Sequence, residues 1–152
     1  MDTKQLIKQV KKLRGELGLG MMEIKMALEE AKGDEKEAKE ILKKKGFKKA
    51  KKRAEKETNQ GRIFTYEHTT GKLAVMVELL CETDFVAKND SFLELGKELC
   101  LQVASMNPKD TKELLKQDYV KDGSKKISDL ISEFIVKSGE NVKIGRIERF
   151  EI

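Results

Sequence analysis

With 152 residues, of which 39% are charged and 38% hydrophobic, the chain has room for one or two small domains with modest cores. Its apolar residues are clustered and periodic, which excludes disorder throughout, and no run approaches the roughly 20 apolar residues that cross a bilayer. The net charge of +5 is a local property: residues 43–53 carry eight basic side chains and no acidic one, and setting them aside turns +5 into −3. Cys81 and Cys100 have no C-x-x-C spacing and His68 is the single histidine, so neither a metal site nor a cofactor is expected. Met1–Lys8 has no apolar stretch of the kind that begins a secreted chain, and a cysteine framework is missing. The expectation is a soluble cytoplasmic protein with no membrane association.

The first 46 residues predict three short helices. Asp2 and Gln5 have the spacing of a capping box, and Leu6, Ile7, Val10, Leu13 and Leu17 recur at helical intervals until Gly15, Gly18 and Gly20 interrupt them. A second helix is predicted over Met21–Lys32, with Met22, Met26 or Ala27, and Ala31 facing a core and Gly33 closing it. Adjacent helical residues point about 100° apart, so one of Met21 and Met22 is expected in the core. The other is expected to be partly exposed, where a flexible thioether suits a partner's groove. Asp34 with Glu37 opens a third helix bearing Ala38, Ile41 and Leu42, with a stop near Gly46. Residues 47–60 are charged and poor in apolar side chains, and read as a basic linker helix or a solvated connection.

From Gly61 the period changes. Arg62–His68 is rich in β-branched and aromatic residues, as strands are, and Thr69-Thr70-Gly71-Lys72 suits a hairpin turn. Leu73, Val75, Val77 and Leu79 alternate with Ala74, Met76, Glu78 and Leu80 in a second, largely buried strand. Asn89, Asp90 or Ser91 can cap the next helix, striped by Phe92, Leu95, Leu99, Val103 and Met106 and ended by Asn107-Pro108. Leu114 and Leu115 suit a short helix, Asp122-Gly123 a turn, and Ser124 the start of a helix bearing Ile127, Leu130, Ile131, Phe134 and Ile135. Asn141–Ile152 is a last strand whose alternation slips across Gly145, which predicts a bulge. The fold class expected is α+β: three N-terminal helices over 1–46, a linker over 47–60, and over 61–152 a small antiparallel sheet covered by helices.

Enzymatic constellations are weak. His68 is placed at a strand end, Gly18-Leu19-Gly20 lacks the lysine and preceding strand of a phosphate-binding loop, and the carboxylates are scattered among lysines. The basic run 43–53 reads as a solvated face, which disfavours nucleic acid. The alternative is a ribosome- or RNA-binding protein that uses that run. Cys81 to Asp90 is the sharper feature, because a buried strand there meets a short turn carrying Asp84 and Phe85. Read as structure, Phe85 folds back onto the sheet and Asp84 serves the turn. Read as function, Phe85 is an aromatic anchor beside a carboxylate on a rigid support.

Three segments carry a resemblance. Glu82-Thr83-Asp84-Phe85-Val86-Ala87-Lys88-Asn89 after Val75-Met76-Val77-Glu78, Gly18 to Asp34 around Met21-Met22, and Gly139-Glu140-Asn141-Val142 with Arg146 to Glu151 together resemble the bacterial elongation factor Ts family. The resemblance implies a ubiquitin-associated-like domain at residues 1–46 and an α+β core dimerisation-type domain at 61–152. It also implies guanine nucleotide exchange on elongation factor Tu, without a covalent step. Thr83, Asp84, Phe85 and Val86 would enter the GTPase domain and dislodge its Mg²⁺, and Met21 and Met22 would contact the same domain. Glu16-Leu17-Gly18-Leu19-Gly20 stands where the family has Thr-Gly-Ala-Gly before the methionines. About thirty residues separate Pro108 from Gly139, where longer relatives place further helices or a second core half, and this implies either a homodimer or fewer contacts with elongation factor Tu.

Overall fold

The computed structural model describes residues 2–152, which form an α+β fold of N-terminal helices and a small antiparallel sheet. Two compact units divide the chain between Lys52 and Arg53.

The first unit contains α1 (Thr3–Leu17), α2 (Met21–Glu30) and most of α3 (Glu35–Arg53). Asp2 caps α1 by accepting from the Lys4 N–H, and Gly18 ends it in the left-handed region at φ 66°, where a side chain would be strained. Val10 and Leu13 of α1, Ile24, Ala27 and Leu28 of α2, Ala31, and Ala38 and Leu42 of α3 make the core. Met22 and Met26 do not join it. The inward positions on α2 are taken by Ile24, Ala27 and Leu28, and two helical steps put Met22 about 200° from Ile24. The third helix also does not stop at Gly46. Ala38, Leu42, Gly46 and Ala50 continue one buried row at four-residue spacing, and that continuity outweighs the roughly 1 kcal/mol cost of an internal glycine.

The second unit is built on β1 (Gln60–Glu67), β2 (Leu73–Cys81) and β5 (Val142–Glu151), in the order β1-β2-β5 with both pairings antiparallel. Alternation along β2 sends Val75, Val77 and Leu79 inward, while Ile63, Met76 and Phe150 stay exposed on the strands. The inner side meets α5 (Asp90–Met106). Phe92 lies between Phe64 and Phe134, with ring centroids at 6.0 and 5.8 Å, and Gly96 lets the Phe64 ring approach so closely that any Cβ would strike it. Val77 pairs with Ile147 but Leu79 with Ile144, so β5 carries one extra residue around Gly145, where the bulge is expected.

Between α5 and β5 run α6 (Thr111–Lys116), a hairpin of β3 (Asp118–Tyr119) and β4 (Asp122–Lys126), and α7 (Ile127–Ser138). The hairpin displaces the expected helix start from Ser124 to Ile127. Asp122 accepts from the Ser124 N–H and hydroxyl, and Asp129 caps α7 by accepting from the Lys126 N–H at 2.9 Å. Gln102, fully buried on α5, holds the hairpin with Nε2 donating to the Asp118 carbonyl and Oε1 accepting from the Val120 N–H, each at 3.0 Å. Met106 is exposed, so the apolar stripe of α5 ends at Val103 and Ala104.

Candidate partner-binding turn

Strand β2 ends at Cys81, which is fully buried and donates its thiol to the Thr83 carbonyl at 3.1 Å. Thr83 is still extended, at φ −125° and ψ 156°, and the chain then makes a single helical turn, α4 (Asp84–Ala87). Thr83 caps that turn, its hydroxyl oxygen accepting from the Val86 N–H at 3.4 Å. Ala87 is buried and Val86 half-buried, whereas Asp84 and Phe85 face solvent. Phe85 does not fold back onto the sheet: it is 82% exposed. An aromatic held in water forgoes about 1.5–3 kcal/mol of burial, which a partner's pocket could recover.

Glu140 and Asn141, from the far end of this unit, hold the turn together with Glu82 beside it and Arg53 at the unit's start. Glu140, in the connection from α7 to β5, accepts the Thr83 N–H at 3.0 Å and the Thr83 hydroxyl at 2.7 Å. Glu82 returns the arrangement by accepting the Asn141 N–H at 2.6 Å. Asn141 is itself 2% exposed and donates its side-chain amide to the carbonyls of Lys56 and Ala54, at 2.8 and 3.4 Å. Arg53 donates to the Gly139 carbonyl and lies 3.7 Å from Glu82. Carboxylates bonded this way make stronger contacts than neutral groups do, so the base of the turn is rigid while its tip is free.

On the tip, Asp84 pairs with Lys88 at 2.9 Å, and that hydrogen bond holds its carboxyl below the usual aspartate range. Burial pushes both thiols up, Cys100 to about 11, so both are protonated at neutral pH and make poor nucleophiles. His68 turns onto its own hairpin, its Nδ1 lying 3.0 Å from the Thr70 hydroxyl. Among the described residues no group of three or more His, Cys, Asp or Glu side chains is placed to hold a metal, and no helix is long and apolar enough to cross a membrane. What the turn can do is present a rigidly based aromatic beside a carboxylate.

In the first unit, Met21 and Met22 are both exposed, at 46% and 67%, which corrects the expectation that one is core. Gly20 begins α2 without a side-chain cap, and the methionines occupy its first turn. Met26, one turn on from Met22 and on the same side, is exposed too, and sequence periodicity had offered it to the core. The basic run is partly engaged: Lys45 pairs with Glu30, Lys49 with Glu23 and Arg53 with Glu82. Glu82, Glu140, Asn141 and Arg53 were not legible as supports of the turn. The first three lie inside the segments that carry the family resemblance, but nothing local couples residues 57 positions apart.

A model of the family described as Elongation factor TS matches residues 82–152, which hold the turn and both ends of its clamp. The chain is 39% identical to Elongation factor Ts of Leptospira biflexa serovar Patoc over 189 aligned residues, covering 95% of this chain and 96% of the relative. The chain belongs to the elongation factor Ts family. Elongation factor Ts of Thermotoga maritima is 38% identical over 186 residues, covering 94% of each chain. That of Oleidesulfovibrio alaskensis is 36% identical over 188, covering 94% of this chain and 95% of its own. The chain's role is in translation elongation.

Proposed function

We propose that this chain is a guanine nucleotide exchange factor for elongation factor Tu, releasing GDP without making or breaking a covalent bond. Thr83, Asp84, Phe85 and Val86 enter the GTPase domain and disturb its Mg²⁺ site, and loss of the cation that offsets the GDP phosphates lets the nucleotide leave. Met21 and Met22 grip the same domain from the ubiquitin-associated-like arm, residues 1–46, with 47–60 as a linker and 61–152 as the core. A cytoplasmic setting follows from that partner. Exchange factor and GDP then weaken each other's equilibrium binding by the same factor.

The observation that carries the reading is the 82% exposure of Phe85 on a turn whose base is bonded on both sides. A structural aromatic would be buried, and a flexible loop would lose more entropy on docking. The test is the rate at which labelled GDP leaves elongation factor Tu, with and without this protein. Acceleration by the wild-type chain is expected, and its absence would sink the reading. Ile63, Met76 and Phe150, exposed on the sheet, support a homodimer closed over that face, and sedimentation across protein concentrations tests it. A monomer at every concentration would remove that part.

A further inference from the structure

Glu140 lies 57 residues from Thr83 in sequence, yet both of its carboxylate oxygens are committed to that one residue. An ionised carboxylate only accepts, so Thr83 must donate both its N–H and its hydroxyl proton to Glu140. That donation fixes the rotation of the hydroxyl and leaves an oxygen lone pair for the Val86 N–H at 3.4 Å. Glu140, the Thr83 hydroxyl and the Val86 N–H thus form a chain of hydrogen bonds in one direction, and Phe85 sits inside the turn that the chain closes. A four-residue helix has no stability alone, so its orientation is set by its attachments. The reciprocal bond from the Asn141 N–H to Glu82 fixes the spacing of the two connections, leaving Glu140 to set the angle at Thr83.

We infer that Glu140 is a positioning residue for exchange: acting only through Thr83, it aims the Phe85 ring at the partner. The inference rests on the reading that the turn engages elongation factor Tu, and it adds a residue outside the exposed tip. A ring displaced by about 1 Å at its tip still binds but no longer disturbs the site it should reach, as misplacement of about that size can cost 10²-fold in a reaction.

The experiment follows labelled GDP release from elongation factor Tu as the concentration of the full chain is raised. Glu140→Ala is expected to lower the saturating rate roughly tenfold, the size of a lost charge-assisted bond. The half-saturating concentration should move by less than about twofold, since uniform binding is kept. Glu140→Gln should recover only part of the rate, because its carbonyl can accept from the Thr83 N–H but its amide cannot accept the hydroxyl proton that orients the bond to Val86. The double variant Phe85→Ala with Glu140→Ala should be no slower than Phe85→Ala alone, because aiming is irrelevant once the ring is gone. A residue that only stabilised the fold would give additive losses and a lower thermal midpoint without that signature. Hydrogen exchange at the Val86 and Ala87 amides, read on the chain by itself, should quicken in Glu140→Ala. A wild-type saturating rate in Glu140→Ala, additivity with Phe85→Ala, or unchanged exchange at those amides would each overturn the positioning role. Failure of the wild-type chain to release GDP would instead overturn the exchange reading, and the amide measurement would still decide whether Glu140 orders the turn.

Discussion

The turn at Thr83–Val86 and the start of α2 at Met21–Met22 both expose large apolar side chains, but they are supported in different ways. The turn is bonded at its base through Glu140, Glu82 and Asn141, and a buried thiol lies beneath it. Met21 and Met22 follow a glycine that supplies no side-chain cap, and only the inward face of their helix, Ile24, Ala27 and Leu28, is held. Phenylalanine has two rotatable side-chain torsions and methionine three, so the two sites also differ at their tips. The physical lesson is a division of labour. A fixed aromatic can transmit force to one atom of a partner, whereas flexible thioethers can fill a groove without specifying a position in it.

That contrast can be broken by experiment. The largest effect expected is from Phe85→Ala, which should cut the saturating rate of GDP release by more than about tenfold, as loss of an anchoring aromatic does. Because Phe85 is exposed, stability should stay within about 0.5 kcal/mol of wild type in denaturant titration. Equal loss in Met21→Ala with Met22→Ala would erase the distinction. That double variant should instead raise the half-saturating concentration by roughly three- to tenfold and leave the saturating rate in place. Ile24→Ala tests the platform beneath the methionines. Truncating a fully buried isoleucine costs about 2–5 kcal/mol, and exchange should then resemble the methionine variant, not the Phe85 variant.

The smallest effect concerns pH. The hydrogen bond from Lys88 lowers the Asp84 carboxyl from 3.8. Its contribution to stability is therefore present above the unfolded value and is lost as pH falls through the folded one. By NMR titration the Asp84 midpoint should lie below 3.8, and Lys88→Ala should return it towards that value. Exchange rates should not vary with Asp84 ionisation between pH 5 and 8, where the group is charged throughout. A step in rate within that window would point to another group.

Periodicity alone placed α1, β1, β2, α5 and β5, because each has one apolar face and a clear stop signal. It erred where the apolar signal was ambiguous. Methionines at helical spacing resemble core residues, yet the core of α2 is filled by Ile24, Ala27 and Leu28. Gly46 resembles a stop, yet Ala50 continues the buried row beyond it. The β3–β4 hairpin has almost no apolar pattern of its own and depends on Gln102, a polar residue buried on a different element.

By itself the sequence determined that a buried strand must give way to a capped helix at Thr83–Asp90, since alternation ends there and capping residues begin. It also determined which side chains that turn would carry. Two matters were left to the tertiary structure: that Phe85 points into solvent, and that Glu140 holds Thr83, two residues before it. Local propensity fixes where a chain turns, because the energies involved act between near neighbours. The direction of a side chain on a one-turn helix is set by bonds to residues far away in sequence, and those exist only once β5 lies beside β2.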